Sequence, residues 1–193
     1  DARYQLHVLR DRILPNLGFK NVLMQTGLES DDLIAWVVQN VDEEWIVISP
    51  DGDLYQLLDH CRIWSPAHHM TFTKRWFIKS YGIRPTDWAL FKALAGCHSD
   101  DIPGIPGIGE KYALRYIRGE LQESTAAYAK IMKPKNQEIL STYQKLTTLP
   151  FPMTKPCILQ PDEFVYENFV LLCEEYGLGS LLGGPWPNVF RTH

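Results

Sequence analysis

Two groups of carboxylates follow short apolar runs in the first third of the sequence. The first comprises Glu29, Asp31 and Asp32, and the second comprises Asp51 and Asp53. Acids in a first helical turn favour the helix dipole, but three within four residues exceed what a helix cap requires. If both groups lie at one sheet edge, bound cations must offset their repulsion, and hard oxygen ligands favour Mg²⁺ or Mn²⁺ over zinc. The pattern indicates two-metal phosphodiester hydrolysis; the alternative is an acidic surface without metal.

A glycine-rich segment over residues 102–113 is the most specific local signal. Its glycines permit a tight turn with close backbone approach to a ligand; they are Gly104, Gly107 and Gly109. The helix that follows carries Lys111 and opens with unpaired N–H groups, which form an anion site suited to a DNA phosphate. Ile105 and Ile108 are the expected apolar contacts that hold this hairpin together. The alternative is a plain Gly/Pro loop.

The elements that must position these residues alternate in the first half of the chain. Strands are predicted over 19–24, 45–49 and 61–65, and helices over 2–14, 31–41 and 52–58. Such alternation is typical of an α/β fold with a largely parallel sheet, and ligands bind beyond the carboxyl ends of its strands. After residue 70 the pattern becomes helical, with helices predicted over 74–81, 86–95, 110–118, 136–146 and 167–176.

Composition sets the broad class. The chain has 193 residues, 45% hydrophobic and 12% aromatic, which is enough to bury a core. The net charge of −4 conceals segregation, because residues 29–61 carry nine acids and no Lys or Arg, whereas residues 62–92 carry six bases and one acid. We expect an acidic pocket flanked by basic surfaces, the alternative being ordinary solvated faces.

The cysteines and the hydropathy pattern indicate the compartment. Four cysteines lie far apart and form no CxxC pair, which is typical of free thiols in a reducing compartment. No apolar run approaches the length of a membrane span. We therefore expect a cytoplasmic protein that does not contact a membrane.

Taken in order, these motifs resemble those of the 5′ nuclease family, which includes bacteriophage flap endonucleases and the 5′ nuclease domain of bacterial DNA polymerase I. Residues 27–32 (Gly-Leu-Glu-Ser-Asp-Asp) are similar to the family's Glu-Ala-Asp-Asp motif. Residues 48–54 resemble its Ser-x-Asp-x-Asp strand-end motif, and residues 95–111 resemble its Gly-Asp-x-Ser-Asp-Asn-Ile-Pro-Gly signature. The resemblance runs from about residue 20 to residue 120.

The resemblance implies a PIN-like (Rossmann-like) fold with helices on both faces of a mostly parallel sheet, followed by a helix–three-turn–helix (helix-hairpin-helix) DNA-binding module. The implied divisions are 1–92 for the catalytic part, 93–150 for the DNA-binding module and 151–193 for a segment packing on the catalytic domain. The implied activity is that of a 5′–3′ exodeoxyribonuclease and flap endonuclease of DNA replication and repair. Its substrates would be branched or 5′-ended DNA and RNA–DNA hybrids, and the sequence leaves a polymerase partner open.

The resemblance also implies roles for single residues. Carried over, the first metal site is served by Glu29, Asp31 and Asp32, and the second by Asp51, Asp53 and Asp100. Two Mg²⁺ or Mn²⁺ ions would occupy these sites, with K⁺ at the hairpin. The backbone amides of Gly107, Ile108 and Gly109 would contact DNA phosphate, and Lys92 and Lys111 would lie near the DNA backbone.

Two departures from the family pattern affect these expectations. Cys97 stands where the family has a metal-binding aspartate, so we expect a weakened second site, with Asp101 or His98 as a candidate for partial substitution. The family's N-terminal strand and helical arch have no counterpart here, so we expect the chain to lack that N-terminal third and to associate with it through exposed apolar surface. The fragment alone would then be inactive.

Two alternatives to a flap endonuclease remain open. One is a catalytically impaired relative that clamps branched DNA without cleaving it, since the hairpin is complete and an aspartate is lost at Cys97. The other is a metal-dependent ribonuclease built on the same sheet, which the DNA-type hairpin disfavours.

Overall fold

A computed structural model describes residues 1–97 and 101–183 of the chain. These residues form two compact units, one of Gln25–Pro156 and one of Asp1–Met24 together with the chain from Cys157 onward. The functional division predicted at residues 92 and 150 remains a prediction. No helix within the described ranges is both long enough and apolar enough to cross a bilayer.

The larger unit contains a three-stranded sheet in the order β1 (Trp45–Ile48), β2 (Cys61–Ser65) and β3 (Met70–Phe72). β1 and β2 are parallel, with Val47 opposite Ile63, whereas β2 and β3 are antiparallel. The prediction of a mostly parallel sheet is therefore wrong. β3 follows β2 after four residues, and so short a connection permits only antiparallel pairing.

β1 lies at the edge of this sheet. Its Ile46 and Ile48 side chains are 53% and 71% exposed, whereas Val47 between them is buried. A strand edge with free backbone groups and apolar side chains is a template for pairing with another strand. The sheet thus presents apolar surface of the kind the sequence predicted.

The remaining elements of the larger unit are mainly helices. They are α3 (Ser30–Asn40), a 3₁₀ turn (Asp53–Leu57), α4 (Lys74–Tyr81), a 3₁₀ turn (Pro85–Asp87), α5 (Trp88–Ala95), α6 (Glu110–Ile117), α7 (Ala126–Ile131) and α8 (Pro134–Thr147). The predicted helix over 52–58 is thus a 3₁₀ turn, and α7 was not predicted. α4 has clear local signals for both of its ends. Thr73 caps its N terminus by accepting the Trp76 N–H at 3.2 Å, and Gly82 ends it at φ +64°.

The core of this unit lies between the sheet and these helices. α3 contributes Ala35 and Val38, and it packs against the 3₁₀ turn through Leu54 and Leu57. An aromatic cluster centred on Tyr55 joins this turn to α4 and α5. The turn that follows the second acidic group is therefore held by buried contacts on several sides.

The smaller unit consists of α1 (Ala2–Val8), a π-helical turn (Leu9–Ile13), α2 (Leu14–Asn16), α9 (Tyr166–Glu175) and a 3₁₀ turn (Gly179–Leu181). The strand predicted over 19–24 is wrong, since these residues form no regular element. Gly18 turns the chain at φ +91° against the backbone of Glu163, which donates its N–H to Gly18 O at 3.0 Å.

Candidate active site

The first acidic group lies at the N terminus of α3. Asp32 is 7% exposed and accepts two backbone N–H groups, from Glu29 at 3.2 Å and from Phe151 at 2.7 Å. These bonds form a capping arrangement in which Asp32 satisfies free donors at the helix start. Both oxygens of Asp32 are thus engaged by the protein, and the structure gives Asp32 an anchoring role.

The pKa of Asp31 is raised above its ordinary value. Burial raises the pKa of Asp31, and the negative charge of Asp51 raises this pKa further. Smaller repulsions come from Glu29 and Asp32, while a hydrogen bond from Ser30 opposes them. The two acidic groups therefore meet at Asp31 and Asp51, as the sequence predicted, although α3 and not a preceding strand delivers the first group.

The second acidic group is held in the turn that follows β1. Ser49 Oγ accepts the Asp51 N–H at 3.1 Å, and Asp51 Oδ1 accepts the Asp53 N–H at 2.8 Å. The Trp88 indole donates to Gly52 O at 2.9 Å and so ties the turn to α5. Short polar side chains that bond their own backbone fix the turn, which leaves Asp51 exposed.

Asp53 is oriented differently from Asp51. Its carboxylate forms an ion pair with Lys92 of α5, and both side chains are largely buried. Lys92 was predicted to lie near the DNA backbone, but its ammonium contacts Asp53. Within the described ranges, no Lys or Arg forms an ion pair with Asp31 or Asp51. The protein thus balances Asp53, whereas Asp31 and Asp51 have no such basic partner within the described ranges.

The donor set fits a hard divalent cation. Among the described residues, no three His, Cys, Asp or Glu side chains come together as a preformed metal cage. Mg²⁺ dehydrates reluctantly and is usually held through one or two carboxylates, with water filling the remaining positions. The Asp31–Asp51 pair supplies two such oxygens, and a bound cation would relieve their repulsion.

The predicted second site is only partly described. Asp100, and His98 as a substitute, lie outside the described residues. Cys97 donates its N–H to Ile102 O at 2.7 Å, and Cys97 O accepts the Ile102 N–H at 3.0 Å, so its backbone is paired with that of Ile102. Asp101 has φ +52° and is exposed. The structure therefore fixes the position of Cys97 without testing the ligand role.

The glycine-rich segment joins α5 to α6. Ile105 donates its N–H to Leu94 O at 3.0 Å, and Ile108 donates to Ile105 O at 2.8 Å. Both isoleucine side chains are 2% exposed, as expected for residues that hold a hairpin together. A Cβ on Gly104 would lie 2.5 Å from the Gly96 backbone nitrogen, so glycine is required there.

Gly109, by contrast, is not required by packing. It caps α6 with φ −91°, and a Cβ built on it would meet no atom within 4 Å. Lys111 follows on the first turn of α6 and is exposed. A glycine that the fold does not require is typical of a position where another molecule approaches the backbone.

Lys130 of α7 is a candidate that sequence reasoning missed. Its Nζ lies 2.7 Å from the place that a Cβ on Gly107 would occupy, so its ammonium rests over the glycine turn. α7 was not predicted, and nothing in the local sequence marks this lysine. Only the fold could place it beside a turn twenty-three residues earlier.

The chain is similar in sequence to bacterial nucleases and polymerases. It is 36% identical over 122 residues to the thermostable DNA polymerase I of Thermus thermophilus, a match covering 61% of this chain and 14% of the polymerase. It is 30% identical over 153 residues to the 5′–3′ exonuclease of Buchnera aphidicola subsp. Schizaphis graminum, covering 77% and 48%. The chain thus spans less than half the length of these relatives. No protein-family profile matches it.

A solved structure shares the fold. The bacteriophage T5 flap endonuclease, in a pseudo-enzyme–product complex with DNA and metal ions, is 23% identical with a TM-score of 0.58. The match covers 66% of this chain and 52% of the phage protein. At this identity the likeness shows the fold alone, which is PIN-like and α/β. The sequence relatives confirm the predicted resemblance to the 5′ nuclease family, over part of the length of its members.

Proposed function

We propose that the chain is part of a structure-specific 5′→3′ exonuclease and flap endonuclease that hydrolyses DNA phosphodiester bonds. The observation that carries this proposal is the approach of Asp31 and Asp51, two carboxylates from separate motifs without a basic partner among the described residues. A structural ion-pair network would have balanced their charge. An unbalanced carboxylate pair in a nuclease fold is suited to a divalent cation.

In this proposal Asp31 and Asp51 would hold a divalent ion, Mg²⁺ or Mn²⁺. A bound divalent ion lowers the pKa of water and stabilises the charge that develops on a phosphodiester in the transition state. Asp32 orients the first group by capping α3, and Glu29 adds negative charge beside it. Asp53, Asp100 and a second ion complete the site, with Cys97 weakening it.

Lys92 has a specific place in this arrangement. Its pairing with Asp53 holds a positive charge at the site in the metal-free protein. The same ammonium can turn toward a DNA phosphate when a cation takes its place beside Asp53. The Lys92 side chain therefore forms either the ion pair with Asp53 or the proposed contact with DNA.

The glycine turn and its surroundings form the proposed DNA contact. The amides of Gly107, Ile108 and Gly109 would bind a phosphate at the start of α6, with K⁺ as a bridging ion. Lys111 and Lys130 would add positive charge on either side of the turn. Contacts of this kind read the DNA backbone, so recognition would depend on shape and would extend to 5′-ended DNA and RNA–DNA hybrids.

A DNA clamp without cleavage is the second candidate. It is favoured by Cys97, a poor Mg²⁺ ligand at a position where the family has aspartate, and by the compensation of Asp53 by Lys92. In such a protein the glycine turn would act without the acidic site.

One experiment separates the two candidates. For the complete protein, which includes the N-terminal strand and arch expected from the family, cleavage of a 5′-labelled flap substrate is measured in Mg²⁺ or Mn²⁺ and in EDTA, beside binding of the same substrate. We expect metal-dependent cleavage that Asp51→Ala and Asp53→Ala abolish while DNA affinity stays near that of the unsubstituted protein. Binding without cleavage in either metal would favour the clamp.

A further inference from the structure

Buried polar side chains are few in the described chain, and most of them belong to one network. Asp32, Gln56 and Thr147 are three of the four polar or charged side chains buried there, at 7%, 7% and 6% exposure. The fourth, Ser65, lies in β2 and bonds His68. Buried polar groups are costly unless they are paired, so a cluster of them calls for an explanation.

Gln56 is the centre of this network. It lies one turn after Asp53, and its Nε2 donates to Thr147 O at 2.8 Å and lies 3.2 Å from Asp53 O. Its Oε1 accepts the Leu149 N–H at 3.2 Å. The side-chain amide therefore joins the turn of the second acidic group to the end of α8.

The same stretch of chain reaches the first acidic group two residues later. We call residues 147–151 the acid brace. Within it, the Phe151 N–H donates to Asp32 Oδ1 at 2.7 Å. Thr147 Oγ1 lies 3.2 Å from Ala89 O, which anchors the brace to α5, the helix that carries Lys92. Both acidic groups are thus attached to one five-residue segment, at opposite ends.

The network depends on the Gln56 side-chain amide. Removing this amide would leave the buried Thr147 O and the half-buried Leu149 N–H without these partners, and an unsatisfied buried group costs its desolvation penalty. The acid brace would shift to reach solvent or other donors. Because Phe151 holds Asp32 through its amide, such a shift would change the position of α3 relative to the turn of Asp51.

We infer that Gln56 is a positioning residue for the metal site: through the acid brace it sets the separation at which Asp31 and Asp51 share a cation. The inference rests on the proposed function, and it assigns a role to a side chain that is itself no ligand. Groups that orient metal ligands commonly contribute about 10–100-fold to metal affinity or activity.

Mn²⁺ binding measured by calorimetry tests this role directly, with the melting temperature recorded for each variant. Gln56→Met keeps the length of the side chain and removes its three polar contacts, so we expect Mn²⁺ affinity to fall about tenfold or more. Thr147→Val keeps shape and removes the hydroxyl, which lies 3.2 Å from Ala89 O of α5 and 3.1 Å from Tyr143 O of its own helix, so we expect a smaller loss. Ser65→Ala is the matched control, since it removes a buried hydroxyl from β2.

Each outcome either supports or overturns the positioning role of Gln56. A melting temperature lowered by Gln56→Met with Mn²⁺ affinity unchanged would overturn the positioning role, as would an equal loss of affinity in Ser65→Ala. If Gln56→Met does not fold, Thr147→Val decides, because unchanged affinity there overturns the coupling through the acid brace. If the unsubstituted protein binds no Mn²⁺, the proposed function itself is overturned. A loss of Mn²⁺ affinity confined to the variants does not overturn it.

Discussion

Replacing Asp31 by asparagine should stabilise the metal-free protein and remove its response to metal. Burial and the charge of Asp51 raise the pKa of Asp31 above its ordinary value of 3.8. The folded chain therefore keeps the Asp31 proton at pH values where the unfolded chain has released it. This group consequently lowers the free energy of unfolding as the pH rises through that range, and asparagine abolishes the loss.

The expected size follows from exposure and charge. Asp31 is only half-buried, so its repulsions are screened and contribute about 0.2–1 kcal/mol. For a chain of this length 1 kcal/mol corresponds to about 2–4 °C, so Asp31→Asn should raise the melting temperature in EDTA by about 0.4–4 °C. A metal present at about 100 times its Kd stabilises the unsubstituted protein by about 2.7 kcal/mol, or about 5–11 °C. The variant should lose most of that gain.

The assay is thermal unfolding at neutral pH in EDTA and in millimolar Mn²⁺. Glu138→Gln removes the same charge from an exposed position on α8 and should leave the metal response intact. A lower melting temperature for Asp31→Asn in EDTA would refute the argument from repulsion. An equal metal-induced rise in the variant and the unsubstituted protein would instead show that metal binds elsewhere.

Three further predictions concern the DNA contact and the thiols. Gly109→Ala should fold with an unchanged melting temperature and lose DNA affinity in a fluorescence anisotropy titration, because its Cβ meets open space in the protein and only a ligand would contact it; equal affinity would place the DNA elsewhere. Lys130→Gln should weaken DNA binding and reduce the slope of log affinity against log salt by about 1, whereas Arg62→Gln on β2 should change neither. Burial raises the pKa of the Cys61 thiol to about 11, so Cys61 should resist a disulfide reagent at pH 8 while the partly exposed Cys97 reacts. Above pH 9 the unfolded chain loses the Cys61 proton first, so Cys61 should contribute less stability as the pH rises through about 11, as a comparison with Cys61→Ala over that range would show.

Sequence reasoning succeeded where local signals and tertiary packing agree. β1 and β2 were predicted from apolar runs bounded by turn residues, and α4 from its cap and its terminal glycine. The convergence of the two acidic groups was predicted from motif order and from their positions after apolar runs. The strands and the helix depend on residues within one turn or one strand of each other, so a single sequence contains them.

It failed where distant segments decide the outcome. The strand predicted over 19–24 is apolar, yet the chain at Gly18 bonds the backbone of Glu163, a partner that local pattern cannot reveal. The ligand role of Asp32 stays a prediction, but its backbone contacts were not foreseen, one of them 119 residues away at Phe151. Lys130 and Gln56 were overlooked for the same reason, since each acquires its place through a contact with a remote segment.

Asp53 and Asp31 show that the charge balance of a carboxylate depends on its neighbours in the fold and not on its neighbours in the sequence. In sequence both belong to acidic clusters within a stretch of nine acids without a base, so both appear equally unbalanced. In the fold, α5 brings Lys92 against Asp53, whereas Asp31 faces Asp51. An ion that binds between Asp31 and Asp51 relieves repulsion, but one that binds Asp53 must first displace an ammonium. Asp53 and the Asp31–Asp51 pair are therefore unequal as metal sites, whatever the effect of Cys97. The pair has no basic partner among the described residues, so a cation gains most there.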